Sequence, residues 1–291
     1  MGEPFIGQDL AAAPSREILR MFVRNRSAVF GLVMLTSILL VTLFGPLFYD
    51  IDPFKIIGTR FAAPSSAGAP QLGTDYLGRD VLAGVINGGR ATLIVAAIAS
   101  LMSITIGILI GALAGYYGGW VDIVLMRFTE FFQVLPALLF ALVIVTLFEP
   151  GTLTVAFAIG VVTWPGTARL TRAEFFRIKN LEFVKAARAI GSSDRRIMWR
   201  VVFPNALPPL IVTTTLIIGV AILFEAGLSF LGLADPNVWS WGSMIGSNRQ
   251  YILESWWTVT FPGVAIFLTV LSVSLIGDGL QDALNPKLRE R

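Results

Sequence analysis

The chain has 291 residues, of which 55% are hydrophobic and 14% charged. A soluble domain of this size carries about 25% charged residues, so the composition excludes a soluble globular enzyme and describes a polytopic membrane protein. Cysteine and histidine are both absent, which removes disulfides, thiolate nucleophiles, Cys/His zinc sites and histidine general bases.

Residues 1–27 are polar and mixed, with Arg16, Arg20, Arg24 and Arg26 near their end, and Ser15–Phe22 suits an interfacial helix. Ala28–Phe48 is apolar and long enough to span a bilayer. It is too long and too far from the start for a cleavable signal peptide, so it is expected to be retained. Residues 50–88 form a loop whose centre, Ala62–Pro70, reads as a linker. In the following LGTDYLGRD, from Leu72, the alternate ligands and late Glu of a calcium loop are missing; Asp75 or Thr74 caps a turn, and Val81–Asn87 is expected to lie along the membrane. Ala91–Ala114 is the second span, and its Gly107, Gly111 and Gly115 recur every four residues, a spacing that brings helices into close contact.

Val121–Phe148 is the third expected span. Arg127 and Glu130 share one of its faces, and Pro136 either kinks it or marks its start. Thr152–Ala168 is the fourth span, Leu207–Leu233 the fifth and Thr258–Leu280 the sixth. Glu225 is the one acid deep in an apolar run. An ionisable group there costs several kcal/mol unless it is partnered or wet, so Glu225 either lines a pore or gate or makes a structural hydrogen bond to a neighbouring helix. Trp239, Trp241, Trp256 and Trp257 lie in the segment before the sixth span. Tryptophan in that setting anchors a protein at the membrane interface; the alternative use is stacking on a ligand.

The fourth and fifth spans are joined by a cationic stretch. Phe183, Ala186, Ala187 and Ile190 recur at helical spacing, Gly191 suits a left-handed helix end, and Ser192 or Ser193 can cap a second helix over about Asp194–Val202. Pro204 then stops that helix or marks membrane entry. Charge alone would also suit a loop that does no more than set topology. Of the 22 Lys and Arg, 17 fall on one side of a six-span arrangement: the four before residue 27, Arg127, nine from Arg169 to Arg200, and Lys287, Arg289 and Arg291. Lys55, Arg60, Arg79, Arg90 and Arg249 fall on the other. By the positive-inside rule, both termini are expected in the cytoplasm.

Four motifs in order carry a resemblance: LGTDYLGRD, GYYGGWVD (Gly115–Asp122), the loop FVKAARAIGSSDRRIMWRVVFPN (Phe183–Asn205), and EAGLSFLGL (Glu225–Leu233) with Ser240–Gly242. The chain resembles the C-type permease subunits of ATP-binding-cassette (ABC) importers of the dipeptide/oligopeptide/nickel group. The resemblance implies an all-α fold of six transmembrane helices, the type I importer (MetI-like) fold. Residues 1–88 would hold the N-terminal segment, first span and external loop; 89–282 the transmembrane domain with coupling helices at 181–202; and 283–291 a cytoplasmic tail. In that family the loop docks on the ATPase. Ala186, Ala187, Gly191, Ile197 and Pro204 match its pattern, while Lys185 stands where the family's usual acid would be. The implied partners are a second, B-type permease, two ATPase subunits, an extracytoplasmic solute-binding protein and membrane lipid, with no nucleic acid. No GxxxxGK[ST] phosphate loop occurs, so ATP and magnesium would belong to the partner ATPases. A secondary transporter would need more charge at the midplane, and an intramembrane enzyme would need convergent catalytic groups.

Overall fold

A computed structural model describes residues 15–66 and 68–284. The expected tail at Pro286–Arg291, residues 1–14 and Ala67 of the expected linker lie outside the described residues. The architecture is helical: α1 (Ser15–Arg24), α2 (Arg26–Phe48), α3 (Val81–Tyr117), α4 (Gly119–Phe131), α5 (Ala137–Leu147), α6 (Thr152–Lys179), α7 (Glu182–Ala189), α8 (Asp194–Ile197), α9 (Phe203–Phe230), α10 (Trp241–Asn248) and α11 (Trp257–Leu284). Among the described residues β structure is limited to two isolated bridges, Ile56 with Arg79 and Thr74 with Asp80.

Among the described residues five helical runs are long and apolar enough to cross a membrane: α2, α3, α6, the run Asp194–Phe230, and α11. The third expected span, Val121–Phe148, is not one helix. It is divided into α4 and the 11-residue apolar α5, with Pro136 at the N-cap of α5. Proline lacks the N–H an α-helix needs, and it pushes Leu135 away from helical backbone angles, so α5 starts afresh after it. At about 1.5 Å per residue, α5 alone reaches about half of a roughly 30 Å hydrocarbon layer. A second correction concerns Val81–Asn87. It is not a separate surface helix but the first two turns of the 37-residue α3, capped by Asp80 through the backbone N–H groups of Leu82 (2.8 Å) and Ala83 (3.2 Å).

The helix pair α3–α6 is the axis of the fold. Added Cβ atoms on Gly107, Gly111 and Gly115 would fall 2.7 Å from Thr167 Cγ2, 2.6 Å from Thr171 Cβ and 2.8 Å from Phe175 Cβ. The small residues therefore let the two backbones touch, as their period predicts. Around this pair, Ala96, Ala99, Ala141, Ile144, Ile159, Val162, Ala221 and Ile222 form the main core. α6 is the most enclosed span and α2 the least, with 56% and 17% of their apolar stretches buried. At the far edge, Phe22 of α1 packs with Ala28 and Ala283, tying α1 to α2 and α11. α2 also leaves Phe30, Val33 and Leu40 exposed, an apolar surface suited to lipid.

The loop 49–80 folds back onto the top of α3. Thr74 Oγ1 donates to Thr59 O (2.6 Å) and accepts from Ala62 N (2.8 Å), while Asp75 Oδ1 accepts from Leu77 N and Arg79 N. Asp75 is thus the turn-capping acid. Burial pushes its carboxyl above the usual carboxylate range, against the pull of the Arg79 and Leu77 backbone donors. The Tyr49 hydroxyl, pushed up to about 12 by burial and by Asp80, donates to Asp80 Oδ2 at 2.5 Å.

Candidate functional site

The loop between α6 and α9 is an ordered plug. α7 ends at Ala189, and Gly191 follows with φ +85°. Gly191 N–H donates to Arg188 O (3.0 Å) and Ser192 N–H to Ala187 O (3.2 Å), the paired bonds of a Schellman helix end. Ser193 occupies the N-cap of α8, but its side chain makes no capping bond. The second helix does not stop at Pro204. Met198–Val202 forms a π turn, in which Phe203 N–H donates to Met198 O, and the chain continues without a break into α9. A wider turn suits a proline at this point, because Pro204 has no N–H to give and its ring crowds the carbonyl four residues back.

The plug is held by apolar anchors that the 183/186/187/190 spacing does not reveal. Val184 and Ile197 are fully buried, packed with Ala112, Tyr116, Phe175, Ile178, Met198 and Val202. Phe183 and Ala187 pack against this cluster, while Ala186 is exposed and Ile190 is 83% exposed. Lys185 pairs with Glu182 (2.8 Å), and Pro204 is exposed. Arg195, Arg196 and Arg200, with Ser193 and Trp199, line a groove of about 540 Å³. Polar contacts brace the plug from below. The Tyr116 hydroxyl donates to Asp194 Oδ1 (2.7 Å), Lys179 Nζ donates to the Tyr116 carbonyl (3.0 Å), and Arg172 forms a two-point ion pair with Asp122. Tyr116 is 78 residues from Asp194 and 63 from Lys179, and Asp122 is 50 from Arg172, so no spacing within the loop itself marks these contacts. The result is an exposed apolar tip beside a cluster of cations, on a base held by these contacts.

Glu225 lies at the other end of α9 and is only 2% exposed. Its Oε1 accepts from the Ser229 hydroxyl (2.6 Å), one turn further along the same helix. Oε2 is buried without a partner, as is the Thr92 hydroxyl. Glu225 and Ser240 line a void of about 10 Å³, room for about one water. The chain encloses this carboxyl by itself. The tryptophans cluster above it, and the expectation of membrane anchors fails for two of them. Trp241 is 1% exposed with its Nε1 donating to Val85 O (2.8 Å), and Trp257 is 6% exposed with its Nε1 donating to Thr74 O (3.1 Å). Both rings fill core positions where the outer loops seat on the spans; Trp256 is the exposed one, at 55%. Gly242 and Gly246 press α10 against the end of α9, so the LGRD, EAGLSFLGL and SWG strings converge in one place. Among the described residues no group of His, Cys, Asp and Glu could hold a metal ion.

A family model described as binding-protein-dependent transport system inner membrane component matches residues 107–290. One described as the N-terminal TM domain of oligopeptide transport permease C matches residues 13–64. The di/tripeptide transport system permease protein DppC of Pseudomonas aeruginosa is 39% identical over 283 residues, 95% of this chain and 93% of that one. The dipeptide transport system permease protein DppC of Alkalihalophilus pseudofirmus is 37% identical over 288 residues, 97% and 93% of the two. The oligopeptide transport system permease protein OppC of Haemophilus influenzae is 38% identical over 275 residues, 93% and 88%. A solved structure of the MetNI methionine ABC transporter in an inward-facing conformation superposes with a TM-score of 0.60 at 18% identity, covering 69% of this chain and 96% of that one. That likeness speaks for the fold alone.

Proposed function

The chain belongs to the family of binding-protein-dependent transport system inner membrane components, and on that premise we propose that it is one half of a pore through which an ABC importer takes up peptides. It is a multi-pass membrane permease subunit, not an enzyme. The cargo reading rests on the relatives, whose names specify dipeptides, tripeptides and oligopeptides. The remaining partners are a second permease, two ATPase subunits that bind ATP and magnesium, and a solute-binding protein outside. The membrane is the bacterial inner membrane, with both termini cytoplasmic, and residues 89–282 are the pore unit to which 1–88 and 283–291 are added.

In this reading residues 181–204 seat in the ATPase. The observation that carries it is the exposed tip at Ala186–Gly191, held rigid by Val184 and Ile197 and ringed by Arg188, Arg195, Arg196 and Arg200. Space at Gly191 is open, since an added Cβ meets nothing within 4 Å. A side chain there therefore acts through its left-handed backbone, at a cost of about 1 kcal/mol, and through the partner surface it would meet. Gly191→Val should leave membrane insertion intact and lower both ATPase co-purification and peptide uptake. Lys185→Ala should retain most of both, because it loses only an exposed pair with Glu182. Wild-type uptake and ATPase retention in Gly191→Val would remove the docking role.

A further inference from the structure

A second cavity, of about 540 Å³, opens at the end of the molecule opposite the α7–α8 plug. Its walls are Phe54, Arg79, Phe230, Asp235, Trp239 and Arg249, with Ser243 and Ser247 among the lining residues. Two guanidinium groups stand in it without a carboxylate partner among the described residues. Arg79 lies over the rings of Phe54 (5.7 Å) and Trp239 (5.2 Å), and its Nε is buried with no hydrogen-bond acceptor. Arg249 lies over Phe230 (5.2 Å) and gives NH1 to the carbonyl of Gly246 (2.6 Å). The one acid in the wall, Asp235, turns Oδ1 to the backbone N–H of Asn237 (2.9 Å). The buried Nε of Arg79 has no acceptor, a cost that an anion would relieve, while Arg249 stands exposed beside it, and guanidinium planes suit a carboxylate.

We propose that this cavity binds a carboxylate carried on an apolar stem, and that the carboxylate belongs to an acidic side chain of the binding protein seated on this face. The aromatic walls take the stem and Arg79 and Arg249 take the charge. The cavity is blind. Its floor is Ser229, itself 2% exposed and bonded to Glu225, and the void beneath has room for about one water. A solute held here has no way onward, which makes the cavity a dock rather than a stage of passage. The identity of the partner rests on the importer reading above.

Two measurements separate the parts. Benzoate, an apolar ring with a carboxylate, is titrated into the permease–ATPase complex in lipid nanodiscs by saturation-transfer NMR, with benzamide as the uncharged control. Benzoate should bind and benzamide should not. Arg79→Gln and Arg249→Gln should each weaken benzoate about tenfold or more, as expected for losing a charged hydrogen bond. Arg249→Gln serves as the second variant because Arg79 is wedged between two rings and its loss can disturb the fold. Equal binding of the two probes, or benzoate binding unchanged by Arg249→Gln in a normally folded complex, overturns the site. The cognate binding protein is then tested on the same nanodiscs at rising salt. Arg249→Gln should weaken its association about tenfold and flatten the salt dependence. Benzoate binding with unchanged binding-protein association overturns the assignment to a protein side chain. Failure of the binding protein to associate with the wild-type complex would instead count against the importer reading, and leaves the benzoate result standing.

Discussion

Glu225 is enclosed by its own chain, so its contribution is set by hydrogen bonding within that enclosure. Glutamine keeps an oxygen for the Ser229 hydroxyl and supplies an N–H toward the buried, unpartnered hydroxyl of Thr92. Glu225→Gln should therefore assemble and transport close to wild type. Glu225→Lys places an ammonium in a buried site whose other acid, Asp235, is already bonded to the backbone N–H of Asn237, and should sharply reduce the yield of intact complex on co-purification. Full assembly and uptake of the lysine variant would mean that the site opens to water. The carboxyl was legible as an oddity in an apolar run, and so was the left-handed Gly191 between two helical patterns. The enclosure by Thr92 and Ser240 was not, since those residues come from α3 and from the N-cap of α10, more than 130 residues apart in the chain.

At the level of helices, the glycine row on α3 is an interface with no spare room. Gly111→Leu must push α3 off Thr171 and Ala168 of α6. Overpacking of this kind costs about 1–3 kcal/mol, and it should lower the apparent melting temperature of the purified subunit, read by tryptophan fluorescence. Gly219→Leu is the contrast, because the nearest atom to an added Cβ there is Val270 Cγ1 at 3.8 Å. Equal melting of the two variants would contradict the α3–α6 contact. This interface was readable because a four-residue period repeats along one helix. Helix ends were less so. The start of α3 depends on Asp80 capping it with help from Tyr49, and the division of α4 from α5 depends on how Pro136 is accommodated. On α7 the apolar period picked out Phe183, Ala186, Ala187 and Ile190; Phe183 and Ala187 do pack on the core, but the fully buried anchor is Val184, because α3 and α6 meet the helix from that side. Trp241 and Trp257 were misread for a similar reason: composition suggested an interface, and the outer loops covered them instead.

For the molecule as a whole, the charge asymmetry and the helix order together predict where each end faces. Ser66, Ser247 and Ser193 are all exposed in the subunit. Cysteines placed at Ser66 and Ser247 should react with an impermeant maleimide added to intact cells, and one at Ser193 should react only after permeabilisation. Labelling of Ser193→Cys from outside would invert the arrangement. The same long run, Asp194–Phe230, joins the loop at one end to the Glu225 enclosure at the other, and the π turn sits near its start. A π turn accommodates one residue more than the α turn it replaces, and without it that residue would twist everything upstream by about 100° about the helix axis. Met198–Val202 therefore sets the rotational phase between the α7–α8 loop and the long helix α9, as a spacer sets the angle of a key on its shaft. Removing Val201, a π-turn residue outside the cationic ring, together with Pro204→Ala should preserve that phase and keep the ATPases bound on co-purification. Removing Leu216 from the middle of α9 should turn the plug out of phase and release them.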